Sequence, residues 1–350
     1  MTILFAILLF SLLIFVHELG HFVAAKLSGV QVNEFSMFMG PAIVKWQRGE
    51  TLYAIRCIPI GGYCAMEGED ADTESPRSFQ KAAWWKRLII LVAGAAMNFV
   101  IGIVLLGITF APAKRVSVPV IADVTPGCTI VSEEGLHVGD RFLEIDGEKV
   151  YMTADVSLIL TVNTGDVHDI VVERNGQQVV LDDFYMEKHV FPGETEARFG
   201  FTYAMEDLDF SGKLRYTWLE TLNVVRTVRL SLGMLLTGKA GIKDMSGPAG
   251  IVKVMSESAA SADNTLKAVM RLLYFGGFLS INLGVMNLLP IPALDGGRVV
   301  GLVLTTVIEA ILGRKINSKY EGYIHGVGMI LLLALMAVVT FKDFFVIFKG

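Results

Sequence analysis

Charge is scarce in this sequence. Only 19% of its 350 residues are Asp, Glu, Lys or Arg and 53% are hydrophobic, against roughly a quarter charged in ordinary soluble domains. With a mean hydropathy of +0.55, this excludes one soluble globule and points to a membrane protein. No block of Lys and Arg offsets the formal net charge of -5, so a nucleic-acid partner is not expected. Cysteine is equally sparse. Cys57, Cys64 and Cys128 make no CxxC pair, which speaks against a disulfide framework and a Cys-type zinc site. The N-terminus lacks the basic segment and small-residue cleavage site of a signal peptide, and its apolar run reads as a retained helix.

What is abundant is long apolar runs. Four are long enough, or nearly so, to cross a hydrocarbon core, which takes about 20 residues. They run from Thr2 to near Ala25, from Leu88 to Pro112, from Leu272 to near Leu289 where Pro290 and Pro292 stop it, and from near Gly326 to Phe341 or onward past Lys342 and Asp343. Lys26, Lys45, Arg48, Arg56, Arg77, Lys81, Lys86 and Arg87 lie between the first two runs, and Arg298, Arg314, Lys315 and Lys319 between the last two. The positive-inside rule puts both stretches in the cytoplasm. The termini and the region from Lys114 to Arg271 then fall outside.

That outer region opens with short β-type runs at 118–122, 141–145 and 170–174, the last two followed by Asp146-Gly147 and Asn175-Gly176 turns. This predicts a small, partly open β-barrel. From Lys213 to about Gly238 the apolar residues recur at helical spacing among Arg215, Arg226 and Arg229, an amphipathic helix that either lies on the membrane or packs on the β unit. Between the first two runs, residues 42–46 and 51–55 read as a hairpin. It leads into Ile58-Pro59-Ile60-Gly61-Gly62-Tyr63, apolar enough to be partly sunk in the membrane beside the first helix. The acidic run Glu67, Glu69, Asp70, Asp72 and Glu74 reads as a solvated loop face, and His137, His168 and His189 as surface residues. His325 reads as an interfacial group.

The chemistry concentrates in His17-Glu18-Leu19-Gly20-His21. On a helix the two histidines stand one turn apart on one face, so both reach a single Zn²⁺, with Glu18 beside them as general base toward water. Ionisable groups in an otherwise uncharged membrane run cost about 2.5–3.5 kcal/mol each on insertion scales and therefore mark a functional site. A catalytic zinc usually has a third protein ligand. Asp295, in Asn287-Leu288-Leu289-Pro290-Ile291-Pro292-Ala293-Leu294-Asp295-Gly296-Gly297, arrives at the same membrane depth. Its plain alternative is a helix N-cap followed by a glycine turn. Asn287 and Asn282 either handle substrate or bond between helices.

HExxH in the first membrane helix, the Ile-Pro-Ile-Gly-Gly-Tyr loop, the outer β unit and Asn-x-x-Pro-x-Pro-x-Leu-Asp-Gly-Gly together resemble the site-2 protease family, in particular its bacterial regulator of sigma-E protease type. The segment from Pro126-Gly127 through Gly135-Leu136-His137-Val138-Gly139-Asp140 to Asp146-Gly147 resembles a PDZ domain. There is room for one such domain rather than a tandem pair, and Cys128-Thr129-Ile130 departs from the small residues usual there. The resemblance implies a polytopic α-helical membrane protein with four transmembrane helices, a membrane-associated β-hairpin loop and an inserted extracytoplasmic PDZ-like domain. It divides the chain into membrane core (1–112), PDZ-like domain (115–206), amphipathic helix and connecting segment (211–268) and second core part (269–350). The implied activity is zinc-dependent cleavage of a substrate's transmembrane segment within the bilayer, with His17, His21 and Asp295 as zinc ligands, Glu18 as base, Asn287 in substrate handling, and Tyr53, Gly61, Gly62 and Asn282 along the substrate. The PDZ-like domain would take a peptide ligand. A non-catalytic PDZ scaffold with a structural metal is the competing expectation, and it leaves Glu18 without a task. A metal transporter would need more polar residues in the second and fourth helices.

Overall fold

The computed structural model describes residues 2–69, 73–128, 130–132, 135–163, 165–241, 243–313 and 319–349. Asp70, Asp72, Thr129, Arg314 and Lys315, which entered the sequence argument, lie outside them. The chain divides into two compact units, one of residues 1–109 and 240–350 and one of residues 110–239.

The first unit is helical, with one small sheet. Helix α1 (Thr2–Ser28) is followed by strands β1 (Val32–Arg48) and β2 (Thr51–Met66) and by α2 (Trp84–Phe110). After the second unit come α5 (Pro248–Ala260), α6 (Thr265–Asn287), α7 (Asp295–Leu312) and α8 (Lys319–Lys349). Among the described residues four segments are long and apolar enough to cross a membrane: Phe5–Ser28, Trp84–Phe110, Thr265–Asn287 and Gly322–Val346. Helix α7 occupies the stretch expected to be a loop.

Small residues set how closely the spans meet. A Cβ on Gly20 of α1 would stand 2.3 Å from the Ala93 carbonyl of α2, and one on Gly102 of α2 would stand 2.6 Å from Ile281 of α6. Lipid tails are as apolar as leucine, so helices associate through such close packing and through polar contacts. One polar contact is Ser280 Oγ donating to the Asn98 carbonyl at 2.7 Å. Another is Asp343, 4% exposed on α8, which accepts from the Gly250 amide at 2.8 Å and so satisfies a free donor in the first turn of α5. This gives a reason for α8 to continue past Lys342 and Asp343.

The hairpin is longer and more folded than its sequence pattern suggested. The first half of β1 pairs on both sides with β2, Phe35 opposite both Cys64 and Tyr53, while Trp46 from the second half also faces Tyr53. Bending each strand back requires left-handed backbone at Gly40 (φ 84°) and Gly61 (φ 77°). Ala25, Val32, Phe35, Cys64, Met66, Ile90, Leu91 and Leu302 form the core that joins this sheet to α1, α2 and α7.

The second unit carries β3 (Arg115–Val124), β4 (Arg141–Ile145), β5 (Glu148–Lys149), α3 (Thr153–Val162), β6 (Val167–Arg174), β7 (Gln177–Tyr185), β8 (Phe201–Asp207) and α4 (Phe210–Leu236). The sheet order is β7-β6-β4-β3-β8, with β5 on β4. Phe142, Ile145, Leu136, Ile159 and Ile170 centre an ordinary apolar core. The segment 211–268 is divided: α4 belongs to this unit and α5 to the other. Packing on the β unit is the alternative realised for one face of α4. Arg226 ion-pairs with Asp155 at 2.9 Å, and Arg229 with Glu148 at 2.6 Å. His168 corrects an expectation. It is 3% exposed, with Nδ1 2.8 Å from Asp146 and Nε2 3.0 Å from the Gly165 carbonyl, because the strand pattern turns it inward among polar partners. The three cysteines are free thiols.

Candidate metal centre and its surroundings

Helix α1 presents His17 and His21 one turn apart, as HExxH spacing requires. His21 is held by its Nδ1, 2.8 Å from the Ile90 carbonyl of α2. Gly94 of α2 makes the room. A Cβ there would stand 2.3 Å from His21 Nε2 and 2.8 Å from His17 Cε1.

The third group comes from the far end of the chain. Helix α6 stops at the two prolines, and the loop turns at Ala293 (φ 81°), whose N–H donates to His325 Nδ1 at 3.1 Å. His325 thus buttresses the turn. Asp295 is the first residue of α7, behind Leu294 at the N-cap, which makes no side-chain cap. The N-cap alternative for Asp295 therefore falls, and a carboxylate in a first helical turn is favoured by the helix dipole. Gly296 and Gly297 are close-approach positions, not a turn. A Cβ on either would stand 2.3 Å from a carbonyl of the folded-back loop, Leu288 and Leu289 for the first and Ile291 for the second. Arg298, one turn on, pairs with Glu69, and Glu67 accepts from Asn33 at 2.7 Å. These two members of the acidic run are therefore engaged by the protein, not merely solvated.

His17 Nε2 and His21 Nε2 lie 3.2 and 3.3 Å from Asp295 Oδ2, and 3.2 Å from each other. Two atoms sharing a tetrahedral zinc at about 2.0–2.1 Å are roughly 3.3 Å apart. Asp295 Oδ2 is buried without a hydrogen-bond partner of suitable geometry among the described residues, an arrangement costly for a carboxylate unless a cation completes it. It is also the one cluster of three or more His, Cys, Asp or Glu ligand atoms among the described residues, all within 4.8 Å of one another. The donor set fits zinc.

Glu18 lies beside the Cys64 backbone, and a Cβ on Gly62 would stand 3.3 Å from its Cγ. The open edge of the sheet at 62–66 is therefore beside the base. Asn287 Nδ2 stands 3.5 Å from His17 Nδ1, at the limit of hydrogen bonding. The remaining sequence candidates are placed differently. Gly61 bends β2 against Met39. Tyr53 stacks on Trp46 with centroids 5.6 Å apart and edges against Phe22 and Phe35. Asn282, half-buried on α6, joins none of the hydrogen bonds at the site among the described residues. Asn98 of α2 was not singled out from sequence. It is fully buried, with Nδ2 3.2 Å from His17 Nδ1. A polar residue in an uncharged membrane run was the available signal.

Residues 5–335 match the model of peptidase family M50. The chain is 36% identical over 345 residues to a protein of Clostridium acetobutylicum named as a zinc metalloprotease, covering 98% of this chain and 97% of that one. A Clostridium perfringens protein named likewise is also 36% identical, covering 98% of each. The regulator of sigma-W protease RasP of Bacillus subtilis is 28% identical, again covering 98% of each. The chain is thus an intramembrane zinc metalloprotease and a multi-pass membrane protein, and it belongs to peptidase family M50, the site-2 proteases.

Proposed function

We propose that His17, His21 and Asp295 hold the zinc and that Glu18 is the general base. The observation that carries this reading is the convergence of three ligand atoms from opposite ends of the chain to within 4.8 Å. When bound, zinc supplies a Lewis acid that acidifies water and polarises a carbonyl. Glu18, beside Cys64 at the sheet edge, takes the attacking water's proton and passes it to the leaving amine. Asn287 faces the scissile carbonyl and orients it.

The substrate in this reading is a membrane-spanning segment of another protein, an anti-sigma factor or signal-peptide remnant among them. Its helix must unwind before hydrolysis, because a helical backbone hides its carbonyls in its own hydrogen bonds. The unwound segment adds as a strand to the edge at 62–66, next to Glu18, which places Gly61 and Gly62 along it. The basic stretches between the spans put the site near the cytoplasmic face and the termini and β unit outside. In this reading the β unit is a single PDZ-like domain that takes a peptide ligand. What supports this is its Gly-Leu-x-x-Gly-Asp loop: Arg174 binds both the Gly135 carbonyl at 2.7 Å and Asp140 at 2.7 and 2.8 Å.

The test measures metal content and cleavage of a membrane-anchored substrate side by side. Glu18→Gln is expected to keep stoichiometric zinc and lose cleavage by about 10²–10⁴-fold, and Asp295→Ala to lose both. Cleavage persisting in Glu18→Gln, or full zinc with normal cleavage in Asp295→Ala, would overturn the respective assignment.

A further inference from the structure

His21 fixes its own tautomer. Its Nδ1 lies 2.8 Å from a main-chain carbonyl, an atom that only accepts, so Nδ1 carries the proton and Nε2 presents a bare lone pair to the metal centre. His17 must adopt the same tautomer to serve as a ligand through Nε2, which faces Asp295 Oδ2 at 3.2 Å. Its Nδ1 then has a proton to donate. Two side-chain amides face that nitrogen, Asn98 Nδ2 at 3.2 Å and Asn287 Nδ2 at 3.5 Å, and the nearer is Asn98.

With its NH₂ toward the ring, Asn98 offers a donor where His17 needs an acceptor. Its Oδ1 meanwhile is buried with no hydrogen-bond partner among the described residues, so nothing there holds the amide in that sense. The two ends of an amide are nearly isosteric, and their assignment follows the bonding network. Exchanging them sets Oδ1 against His17 Nδ1–H at the same separation. The residue is held in place: Ser280 Oγ of α6 donates to the Asn98 main-chain carbonyl at 2.7 Å, and Asn98 is 0% exposed.

We infer that Asn98 is a positioning residue whose side-chain carbonyl takes the Nδ1 proton of His17, holds Nε2 as the metal-facing lone pair, and leaves Asn287 free for substrate. This rests on the reading of His17 as a zinc ligand. Partners of this kind set ring orientation and ligand basicity, and their loss typically costs about 10–100-fold in metal affinity. An amide does so without adding a charge inside the membrane, where charge is costly.

The test uses the full chain in detergent, with zinc affinity read by chelator competition and the Co²⁺ derivative by its visible absorption spectrum. Asn98→Leu, similar in size with no acceptor, is expected to bind zinc about 10–100-fold more weakly and to shift the Co²⁺ bands. Asn98→Asp, which can only accept while ionised, is expected to hold zinc at least as tightly as the parent. Equal weakening by Leu and Asp, or unchanged affinity and spectrum in Asn98→Leu, overturns the inference. Where Asn98→Leu fails to fold, Asn98→Asp decides alone, because an ionised carboxylate cannot replace a donor. His17→Ala separates the layers: unchanged zinc there removes the ligand assignment itself, whereas loss there with no effect at Asn98 removes only the positioning role.

Discussion

The two units hold together by different physics. In the β unit, Phe142, Ile145 and Ile170 are fully buried in one apolar core, and charged pairs such as Arg174–Asp140 fasten its loops at 2.7 Å. In the membrane unit the decisive positions carry almost no side chain. Gly20, Gly94, Gly102, Gly296 and Gly297 each sit where a Cβ would fall within 3 Å of a neighbour. Burial from water drives the first kind of packing. It gives no net drive between helices already in lipid, where close approach and satisfied polar groups decide the geometry. A catalytic centre in the second kind of unit is therefore set by what is absent from the facing helix as much as by its ligands.

Three substitutions or conditions break or sharpen that contrast. The largest expected effect is from one methyl group. Gly94→Ala places a Cβ against His21 Nε2 and His17 Cε1, and zinc affinity is expected to fall by at least about 100-fold, beyond a typical outer-sphere change. Chelator competition measures it, and thermal unfolding of the β unit should not move. Next, Phe142→Ala removes a ring that is 0% exposed and is expected to destabilise the β unit by about 3–5 kcal/mol, leaving zinc stoichiometry intact. Unfolding by denaturant alongside metal analysis checks both halves. A loss of zinc in Phe142→Ala would mean the units are not separable in this way.

The smallest effect is a pH dependence. Burial alone would raise the Asp140 carboxyl, but hydrogen bonds from Arg174 and the His137 amide outweigh it and hold it below the ordinary carboxylate range. A native carboxyl depressed in this way adds stability that is fully present above its unfolded value of about 3.9 and is lost as pH falls through the native value. The β unit's melting temperature is expected to drop on acidification below about pH 4–5, and Asp140→Asn to flatten that dependence. An unaltered slope in the variant would assign the acid sensitivity elsewhere.

Much of the site was legible in the sequence because its signals are local. HExxH fixes one face of a helix, and a carboxylate beside two prolines ends a membrane run. Asn98 stands out in the second run only as a lone amide, and its role emerges only from the ring it faces, 81 positions away. His168 was misplaced for a similar reason: only the β4–β6 pairing brings Asp146 to its ring. The part of the hairpin that the sequence marks is 42–46 and 51–55, strand-like runs separated by Gln47-Arg48-Gly49-Glu50. The inner half, through Gly61 and Gly62, depends on pairing with β1 at Phe35 and Ser36, contacts no local pattern announces.

By itself the sequence determined the membrane class and the long apolar runs, and it singled out His17, Glu18, His21 and Asp295 as candidates, since hydropathy and one-turn spacing are properties of contiguous residues. The tertiary structure alone decided that Asp295 starts a helix rather than capping it, that Gly94 clears the ground for His17 and His21, and that Asn98 stands behind His17. The close approaches at Gly94 and Asn98 bring together residues of α1 and α2 that lie more than 70 positions apart in the chain, which no local pattern specifies.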